Sequence, residues 1–278
     1  MKIPAAIMMS GGGSNARRLL EAALPALDFR LLFTDNPGSA CMELGRSFGV
    51  DARCHDIREH CGLRSAGLKN PGLRATYDER TARLLNEHGI RLVATAGYDW
   101  ILSPALCRRY IIVNVHPGDL RPRDGSGRRR YIGLGWIPSA RAILAGERAV
   151  HTSTHLVTPV LDGGPIARVS RPVPVDLPPG TRPVELLPPG TSLGEVIRDL
   201  AGNGGQRFGD CPLVRHARRL QEELKVQGDW VEFPRTLQGA GELMLAGRLK
   251  LNAAGEPELD GYPVPDLFLQ AGEEQSDG

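Results

Sequence analysis

Hydrophobic and polar positions alternate along the first half of the chain in a way that predicts strands and helices in turn. The apolar runs IPAAIMMS, FRLLFTD, IRLVATAG and IIVNVH are typical of buried strands, and VDARCH is typical of an edge strand. Between them lie segments with apolar residues at helical spacing, namely NARRLLEAALPAL, SACMELGRSFG, ATYDERTARLLNEHG and SPALCRRY. This alternation predicts an α/β, Rossmann-like fold with a mostly parallel central sheet flanked by helices.

The pattern becomes less regular in the second half. A basic, glycine-containing loop precedes the predicted helix SARAILAGE and the predicted strands THLVTPVL and PIARVSRPVPV. The proline-rich stretch 177–190 breaks the chain before an irregular, helical C-terminal part. We expect one domain at 1–265, divided into an α/β half at 1–113 and a catalytic half at 114–265 with an enlarged loop at 118–135, and then an acidic, mobile tail at 266–278.

Composition narrows the class of protein. The chain has 278 residues, 41% of them hydrophobic, which is enough to bury a sizeable core. A formal net charge of +2 gives no reason to expect nucleic acid or an anionic membrane as a partner, and no apolar run is long enough to span a bilayer. Five cysteines, an odd number, do not resemble a secreted disulfide framework, so we expect a cytoplasmic protein.

One predicted strand ends in two polar side chains on the same face. In YIIVNVHPGDL, Asn114 and His116 point the same way because side chains alternate along a strand, and they lie at the carboxyl end, where α/β sheets place their sites. An amide beside a cationic imidazole can stabilise a negative oxygen. Asp162, just after the strand THLVTPVL, would favour the protonated imidazole if the fold brought it near. The three together suit acyl transfer, although each one alone is more often an ordinary turn or strand-end residue.

A glycine loop follows the first strand. The letters SGGGSNA at 10–16 would let backbone N–H groups meet a phosphate or carboxylate at a helix N-terminus. They also fit the G-x-G-x-x-A pattern of dinucleotide sites, and Asp35 follows at about the right distance, so a nicotinamide-dependent oxidoreductase stays an alternative. The segment CHDIREHC at 54–61 does not have the spacing of a zinc site, and we expect no metal.

The motifs as an ordered set resemble the phosphoribosylglycinamide formyltransferase family. They are SGGGSN, RATYDERT (74–81), AGYDWILSPAL, NVHP, HLVTPVLDGGPI and LAGRLKL (245–251), and they cover the chain from about residue 3 to residue 265. The resemblance implies a formyltransferase fold and a 10-formyltetrahydrofolate-dependent transfer of a formyl group to an amine, without a metal. The small-molecule partners would then be this folate and an anionic or phosphorylated amine acceptor.

The resemblance also assigns roles by position. The catalytic residues would be Asn114, His116 and Asp162. The acceptor's phosphate would bind at Gly11, Gly12, Gly13, Ser14 and Asn15. The folate would bind at Arg74, Gly97, Tyr98, Asp99, Trp100, Ile101, Leu102, Val160 and Leu161.

Three departures from the family pattern bear on the substrates. The loop after His116 is longer and contains Arg128, Arg129 and Arg130, which could clamp an anionic acceptor or form a solvated surface. Asp99 and Trp100 replace a hydrophobic residue and an arginine of the family's folate loop. The family's glutamate for the acceptor is missing from the C-terminal part, so a different amine acceptor and a formyltetrahydrofolate hydrolase both stay open as alternatives.

Overall fold

The computed structural model describes residues 1–62, 70–202 and 205–270. Its strands are β1 (Ile3–Met9), β2 (Leu27–Thr34), β3 (Asp51–Cys54), β4 (Leu92–Thr95), β5 (Ile111–His116), β6 (Ala149–Val150), β7 (Ser153–Leu156), β8 (Ile166–Val169), β9 (Val173–Pro174), β10 (Leu249–Leu251), β11 (Pro257–Leu259) and β12 (Tyr262–Pro263). Seven of these form one sheet in the order β3-β2-β1-β4-β5-β7-β8. The pairs from β3 through β5 are parallel, which confirms the predicted fold class.

The helices follow the strands in the order that the sequence predicts. They are α1 (Ser14–Glu21), α2 (Cys41–Phe48), α3 (Ile57–Cys61), α4 (Pro71–Glu87), α5 (Pro104–Cys107), α6 (Ile137–Leu144), α7 (Leu193–Gly202), α8 (Pro212–Leu224) and α9 (Trp230–Leu245), with a 3₁₀ helix at Pro183–Leu186 and a π-helical turn at Lys225–Asp229. The start of α4 shows why a helix begins where it does. Asn70 accepts hydrogen bonds from the N–H groups of Gly72 and Leu73, and Pro71 occupies the first turn, where no N–H is needed.

The chain forms two compact units. The first comprises Met1–Val115, Thr154–Arg168 and Glu232–Gly278, and its core lies on both faces of the large sheet. Alternate residues of β1 show this, since Ile7 and Met9 pack on one face while Ala6 and Met8 pack on the other. Such two-sided burial explains why the strand is apolar throughout.

The second unit comprises His116–Ser153 and Val169–Val231. Its core packs α6, α7 and α8 around the short β6–β9 ladder, and it includes Tyr131, Ile143, Leu213 and Leu220. The enlarged loop predicted at 118–135 belongs to this unit.

The C-terminal region differs from the helical expectation. Strands β10, β11 and β12 form an antiparallel meander after α9. The residues at the start of the expected mobile tail are hydrogen-bonded to β8, because Asp266 accepts a hydrogen bond from the Ile166 N–H and the Leu267 N–H donates to the Ile166 carbonyl. Residues 271–278 of that tail lie outside the described residues.

Within residues 1–62, 70–202 and 205–270, none of the helices combines the length and the apolar character that a bilayer crossing needs.

A half-buried imidazole lies beside the edge strand β3. The ring of His55 stacks on Tyr77 at 4.4 Å between centroids, and its two nitrogens have no hydrogen-bond partner among the described residues. Burial lowers the pKa of His55 to about 4, and the charges of Arg80 and His60 act in the same direction. The folded protein therefore holds this ring in its neutral form.

Replacing this ring by phenylalanine should make the protein less sensitive to acid. The pKa of His55 falls from the ordinary 6.5 to about 4 on folding, so the unfolded chain binds a proton that the folded chain refuses between these values. The stability that this group contributes is complete above pH 6.5 and is lost as the pH falls toward 4. We expect the melting temperature of His55→Phe, measured by circular dichroism, to fall less than that of the wild type between pH 7 and pH 4.5.

His88 provides a control of opposite sign. Partial burial opposes its charge, but hydrogen bonds to the Leu84 carbonyl and the Asp51 carboxylate raise the pKa of His88. Protonated His88 stabilises the folded state at low pH. The melting temperature of His88→Phe should therefore fall more than that of the wild type between pH 7 and pH 4.5. Equal acid losses in His55→Phe and the wild type would contradict the assignment.

Candidate active site

The amide of Asn114 is fixed at both of its ends. Its Oδ1 accepts a hydrogen bond from the hydroxyl of Thr95 at 2.7 Å, from the end of the neighbouring strand β4. Its Nδ2 lies 3.1 Å from Nε2 of His155 on β7. An amide nitrogen carries two hydrogens, and His155 uses one of them, so the second can be donated to a substrate oxygen. This geometry makes Asn114 a preorganised donor.

His155 connects this amide to Asp162. The ring of His155 is 2% exposed, and its Nδ1 donates to the Leu156 carbonyl at 2.9 Å, which leaves Nε2 to accept from Asn114 in the neutral form. Oδ1 of Asp162 lies 3.7 Å from the same Nε2. The first unit therefore brings together Asn114, His155 and Asp162.

The loop that carries Asp162 is held tightly against β7. Asp162 has a positive φ of 48°, which is uncommon for a residue with a side chain. Gly164 follows it so closely that a Cβ there would lie 1.9 Å from the Leu156 carbonyl oxygen, the atom that accepts from His155. The bare backbone at Gly164 is thus a condition for this arrangement.

His116 ends β5 and begins the second unit. The ring is buried, and its Nε2 donates to the Tyr131 carbonyl at 2.7 Å. This hydrogen bond places a proton on Nε2. An acid role for Nε2 requires the substrate oxygen to take the place of that carbonyl. The expected pairing of His116 with Asp162 stays a prediction.

The glycine loop lies between β1 and α1, as predicted. Gly11, Gly12 and Ser14 are exposed, and a Cβ on either of the first two glycines would meet nothing within 4 Å. Gly13 has φ of 70°, and a Cβ there would lie 2.6 Å from Met9 Cε, so this position needs glycine for the turn itself. The open space beside Gly11 and Gly12 is what an anion at the helix N-terminus would require.

Asp35 does not have the environment of a ribose-binding carboxylate. It is 3% exposed, and its two oxygens accept hydrogen bonds from the Ser10 hydroxyl and the Trp100 indole. A dinucleotide site needs a carboxylate open to the ribose hydroxyls. The structure therefore gives no support to the oxidoreductase alternative.

The predicted folate loop leaves apolar side chains in solvent. Ile101 is 58% exposed, and Val160 and Leu161, on the loop before Asp162, are 66% and 49% exposed. Tyr98 and Leu102 are buried, and Gly97 and Asp99 are exposed. Large exposed hydrophobic side chains near a site are typical of a surface that a ligand covers.

Arg74 and Trp100 are in contact within the same unit. The guanidinium of Arg74 lies 5.3 Å from the centre of the Trp100 ring and 5.4 Å from that of Tyr77. Its Nη2 donates to the Ile101 carbonyl at 2.9 Å. Two of the residues that the sequence assigned to the folate, Arg74 and Trp100, are thus in direct contact.

The arginine loop is largely paired with itself. Arg128 is exposed, and it lies 3.6 Å from the Asp124 carboxylate, whereas Arg129 is buried and donates to the Leu120 carbonyl at 2.7 Å. Arg130 lies over the Tyr131 ring and 4.0 Å from Glu147. Arg129 is therefore buried rather than open to an acceptor, and the binding of an acceptor by the three arginines stays a prediction.

A cavity of about 70 Å³ lies beside this loop in the second unit. Its polar walls include Asp119, Ser139, Glu147 and His151, and Gly118 and Tyr131 also line it. A Cβ on Gly118 would lie 2.9 Å from Nε2 of His116, so the cavity wall adjoins this histidine.

Within residues 1–62, 70–202 and 205–270, no three histidine, cysteine, aspartate or glutamate side chains are grouped as a metal site would require. In CHDIREHC, His55 stacks on Tyr77 and His60 lies 3.0 Å from the Thr76 hydroxyl.

Sequence reasoning missed His155. The motif HLVTPVLDGGPI contains it, but the predicted site residues there are Val160, Leu161 and Asp162. Its signal is a histidine inside a strand whose other residues are buried, because a buried imidazole requires a hydrogen-bond partner.

Comparison with solved structures identifies the fold. Glycinamide ribonucleotide transformylase 1 from Symbiobacterium toebii superposes with a TM-score of 0.59 at 20% identity, over 93% of this chain and 94% of that one. Phosphoribosylglycinamide formyltransferase from Anaplasma phagocytophilum gives 0.58 at 18% identity, over 94% and 96%. This chain has the formyltransferase fold.

The curated proteins that this chain resembles in sequence also include a phosphoribosylglycinamide formyltransferase. The chain is 28% identical over 165 residues to the phosphoribosylglycinamide formyltransferase of Escherichia coli strain K12, covering 58% of this chain and 68% of the relative. It is 23% identical over 170 residues to the trifunctional purine biosynthetic protein adenosine-3 of Gallus gallus, of which it spans 15%. No protein-family model matches the sequence. The resemblance to formyltransferases drawn from the motifs is confirmed.

The close approach at Gly164 gives a test of the site's framework in this formyltransferase fold. A Cβ there collides with a backbone oxygen that cannot rotate away, so β7 or the Asp162 loop must move. We expect Gly164→Ala to lower the free energy of unfolding by about 2 kcal/mol or more, as overpacking does. Urea unfolding followed by circular dichroism measures it.

Gly38, in the same unit, is the control. Its Cβ would come no closer than 3.4 Å to another atom, Oδ1 of Asn36, so Gly38→Ala should cost far less. Similar losses in the two variants would show that the carbonyl contact does not govern the loop.

Proposed function

We propose that this chain transfers a formyl group from 10-formyltetrahydrofolate to the amine of a small anionic or phosphorylated acceptor. The observation that carries the proposal is the fixed amide of Asn114, which Thr95 and His155 hold at a strand end with one N–H to spare. Formyl transfer needs such a donor, because the formyl oxygen becomes negative when an amine adds to the carbon. The shared fold of the formyltransferases agrees with this chemistry.

In the proposed reaction, the acceptor nitrogen bonds to the formyl carbon and the bond from that carbon to the donor nitrogen breaks. Asn114 donates to the formyl oxygen throughout. A proton leaves the acceptor amine and reaches the donor nitrogen, with His116 as the proposed acid and a water as the relay. Tetrahydrofolate and the formylated amine are the products.

Two further residues support the charge. His155 orients the Asn114 amide by accepting one of its hydrogens, and this is a positioning role. Asp162 is the proposed source of negative charge that favours the protonated form of the acid, His116. Its carboxylate lies 3.7 Å from Nε2 of His155. Asn114, His116 and Asp162 thus stay the proposed catalytic residues.

The donor fits the exposed apolar residues of the first unit. A folate contains a flat p-aminobenzoyl ring with apolar faces, and Ile101, Val160 and Leu161 are the side chains that such a ring would shield from water. Arg74 supplies the positive charge for a carboxylate of the donor. Asp99 and Trp100 replace the family's pattern here, so the donor's glutamate has fewer cations to meet.

The acceptor is proposed to bind through its phosphate at Gly11, Gly12, Gly13, Ser14 and Asn15. The relatives' names support glycinamide ribonucleotide, which would make this a purine-biosynthetic enzyme. A different anionic amine is the second candidate, because the family's acceptor glutamate has no counterpart in the sequence. The five cysteines are free thiols, which agrees with the proposed cytoplasmic location.

The proposal predicts that the purified protein consumes 10-formyltetrahydrofolate only when an amine acceptor is present. His116→Ala and Asp162→Asn should each lower turnover by about two orders of magnitude or more, the usual effect of losing an acid or oxyanion group. Absorbance of the folate product follows the reaction, with glycinamide ribonucleotide as the first acceptor in a set of phosphorylated amines.

His216→Ala is the control, because this histidine lies on α8, outside the proposed site, and should retain wild-type turnover. Formate release without any amine would favour the hydrolase alternative. Binding of NADH with no binding of a folate would reject the proposal in favour of an oxidoreductase.

A second prediction concerns the glycine loop. The side chain of Gly12→Val would extend into open space, so the fold is retained while the approach of an anion is blocked. We expect the acceptor KM to rise at least about tenfold with little change in the donor KM, since the lost contacts are remote from the reacting atoms.

Gly194→Val on α7 is the matched control, because a Cβ there meets only ordinary contacts at 3.5 Å or more. It should leave both KM values unchanged. A rise in both KM values for Gly12→Val would show that the loop does not bind the acceptor specifically.

A further inference from the structure

The buried carboxylate of Asp35 accepts hydrogen bonds from two different loops. Asp35 follows β2 directly and is 3% exposed. One of its oxygens accepts a hydrogen bond from the Ser10 hydroxyl at 2.5 Å, and the other accepts from the Trp100 indole N–H at 2.6 Å. Ser10 begins the glycine loop, and Trp100 lies in the loop proposed for the folate. All three residues belong to the first unit.

Ser10 forms further hydrogen bonds, some of them with the segment that contains Trp100. The Ser10 N–H donates to the Gly97 carbonyl at 2.8 Å, and the Ser10 hydroxyl oxygen accepts from the Asp99 N–H at 3.0 Å. The side chain of Asn36 donates to the Ser10 carbonyl at 2.9 Å. The position of the glycine loop therefore depends on the same segment that carries Trp100.

The Trp100 side leads to the cation of the folate loop. The indole packs against the guanidinium of Arg74 at 5.3 Å, and Arg74 donates to the carbonyl of Ile101, the next residue. Asp35 fixes the indole nitrogen and hence the plane of the ring on which Arg74 rests. A loss of the carboxylate would release both the ring and its cation.

Burial makes these bonds costly to break. A carboxylate removed from water must have its oxygens hydrogen-bonded, so the ordered forms of the two loops depend on each other through Asp35. A ligand that orders one loop thereby favours the form that the other ligand binds. By linkage, the effect must be the same in both directions.

We propose that Asp35 is a positioning residue that couples the glycine loop to the folate loop, so that an anion and a folate bind cooperatively. The inference rests on the proposed function, since it names the two ligands. It assigns to Ser10, Asp35 and Trp100 the role of coupling the two loops. Contacts between each ligand and its own loop would not produce this cooperativity.

The test measures the Kd of tetrahydrofolate by calorimetry, with and without saturating inorganic phosphate. We expect phosphate to tighten tetrahydrofolate binding at least fivefold in the wild type. In Asp35→Asn the ratio of the two Kd values should fall below twofold. The hydroxyl and the indole donate to different carboxylate oxygens, and the variant replaces one of these oxygens by an NH2 group, which donates. Trp100→Phe removes the indole N–H and keeps the carboxylate, and it should also reduce the ratio of the two Kd values below twofold.

Asp28→Asn is the matched control. Asp28 lies on the same strand and pairs with Arg30 on the surface, so this variant should keep the wild-type ratio. A kinetic readout separates coupling from a merely structural effect. In Asp35→Asn the KM of both substrates should rise at least fivefold while kcat changes less than twofold.

The outcomes are distinguishable. Wild-type protein that binds both ligands with a ratio near one, or Asp35→Asn with the wild-type ratio, would overturn the coupling and leave the formyltransferase proposal intact. Wild-type protein that binds no tetrahydrofolate would overturn the coupling and the proposed donor together. A fall in kcat of Asp35→Asn with unchanged KM values would also reject the positioning role.

Discussion

The hydrogen bonding of buried polar groups at the carboxyl ends of the parallel strands is the constraint on which this site depends. Asp35 after β2, Thr95 at the end of β4 and Asn114 near the end of β5 are withdrawn from bulk water to different degrees, and each has a partner from another segment. Desolvation makes an unpaired group costly, so these partners select one arrangement of the loops. That selection is what makes the Asn114 amide a fixed donor rather than a mobile one.

The general fold could be predicted from the sequence because its signals are local. Apolar strands such as IPAAIMM and the glycine turn after it specify β1, the loop and α1 without knowledge of distant residues. The β10–β12 meander was missed because LKL and PEL are short and half-exposed, and only their pairing with each other makes them strands. The docking of Asp266 on β8 is likewise a long-range contact that composition does not reveal.

The difference between local signals and long-range contacts also applies to the candidate site. Asn114, His116 and the glycine loop were predictable because strand alternation and turn chemistry place them. The part played by His155 was not, since it depends on β7 lying beside β5, which periodicity does not encode. Asp35 illustrates the converse error. Its spacing from the glycines suggested a ribose ligand, whereas its actual partners, Ser10 and Trp100, are 25 and 65 positions away.

The arginine loop shows why counting charges in a sequence overstates binding. Arg121 pairs with Asp119 at 2.9 Å, Arg128 with Asp124, and Arg129 with a backbone carbonyl, so an incoming anion must compete with partners already in place. The net gain from such an exchange is small for exposed groups. Under the proposed function, recognition of a phosphate would fall mainly on the uncharged N–H groups around Gly11 and Gly12, where no side chain fills the space. A site built from backbone dipoles selects an anion by shape and distance, and salt screens it less than it would screen a surface of exposed arginines.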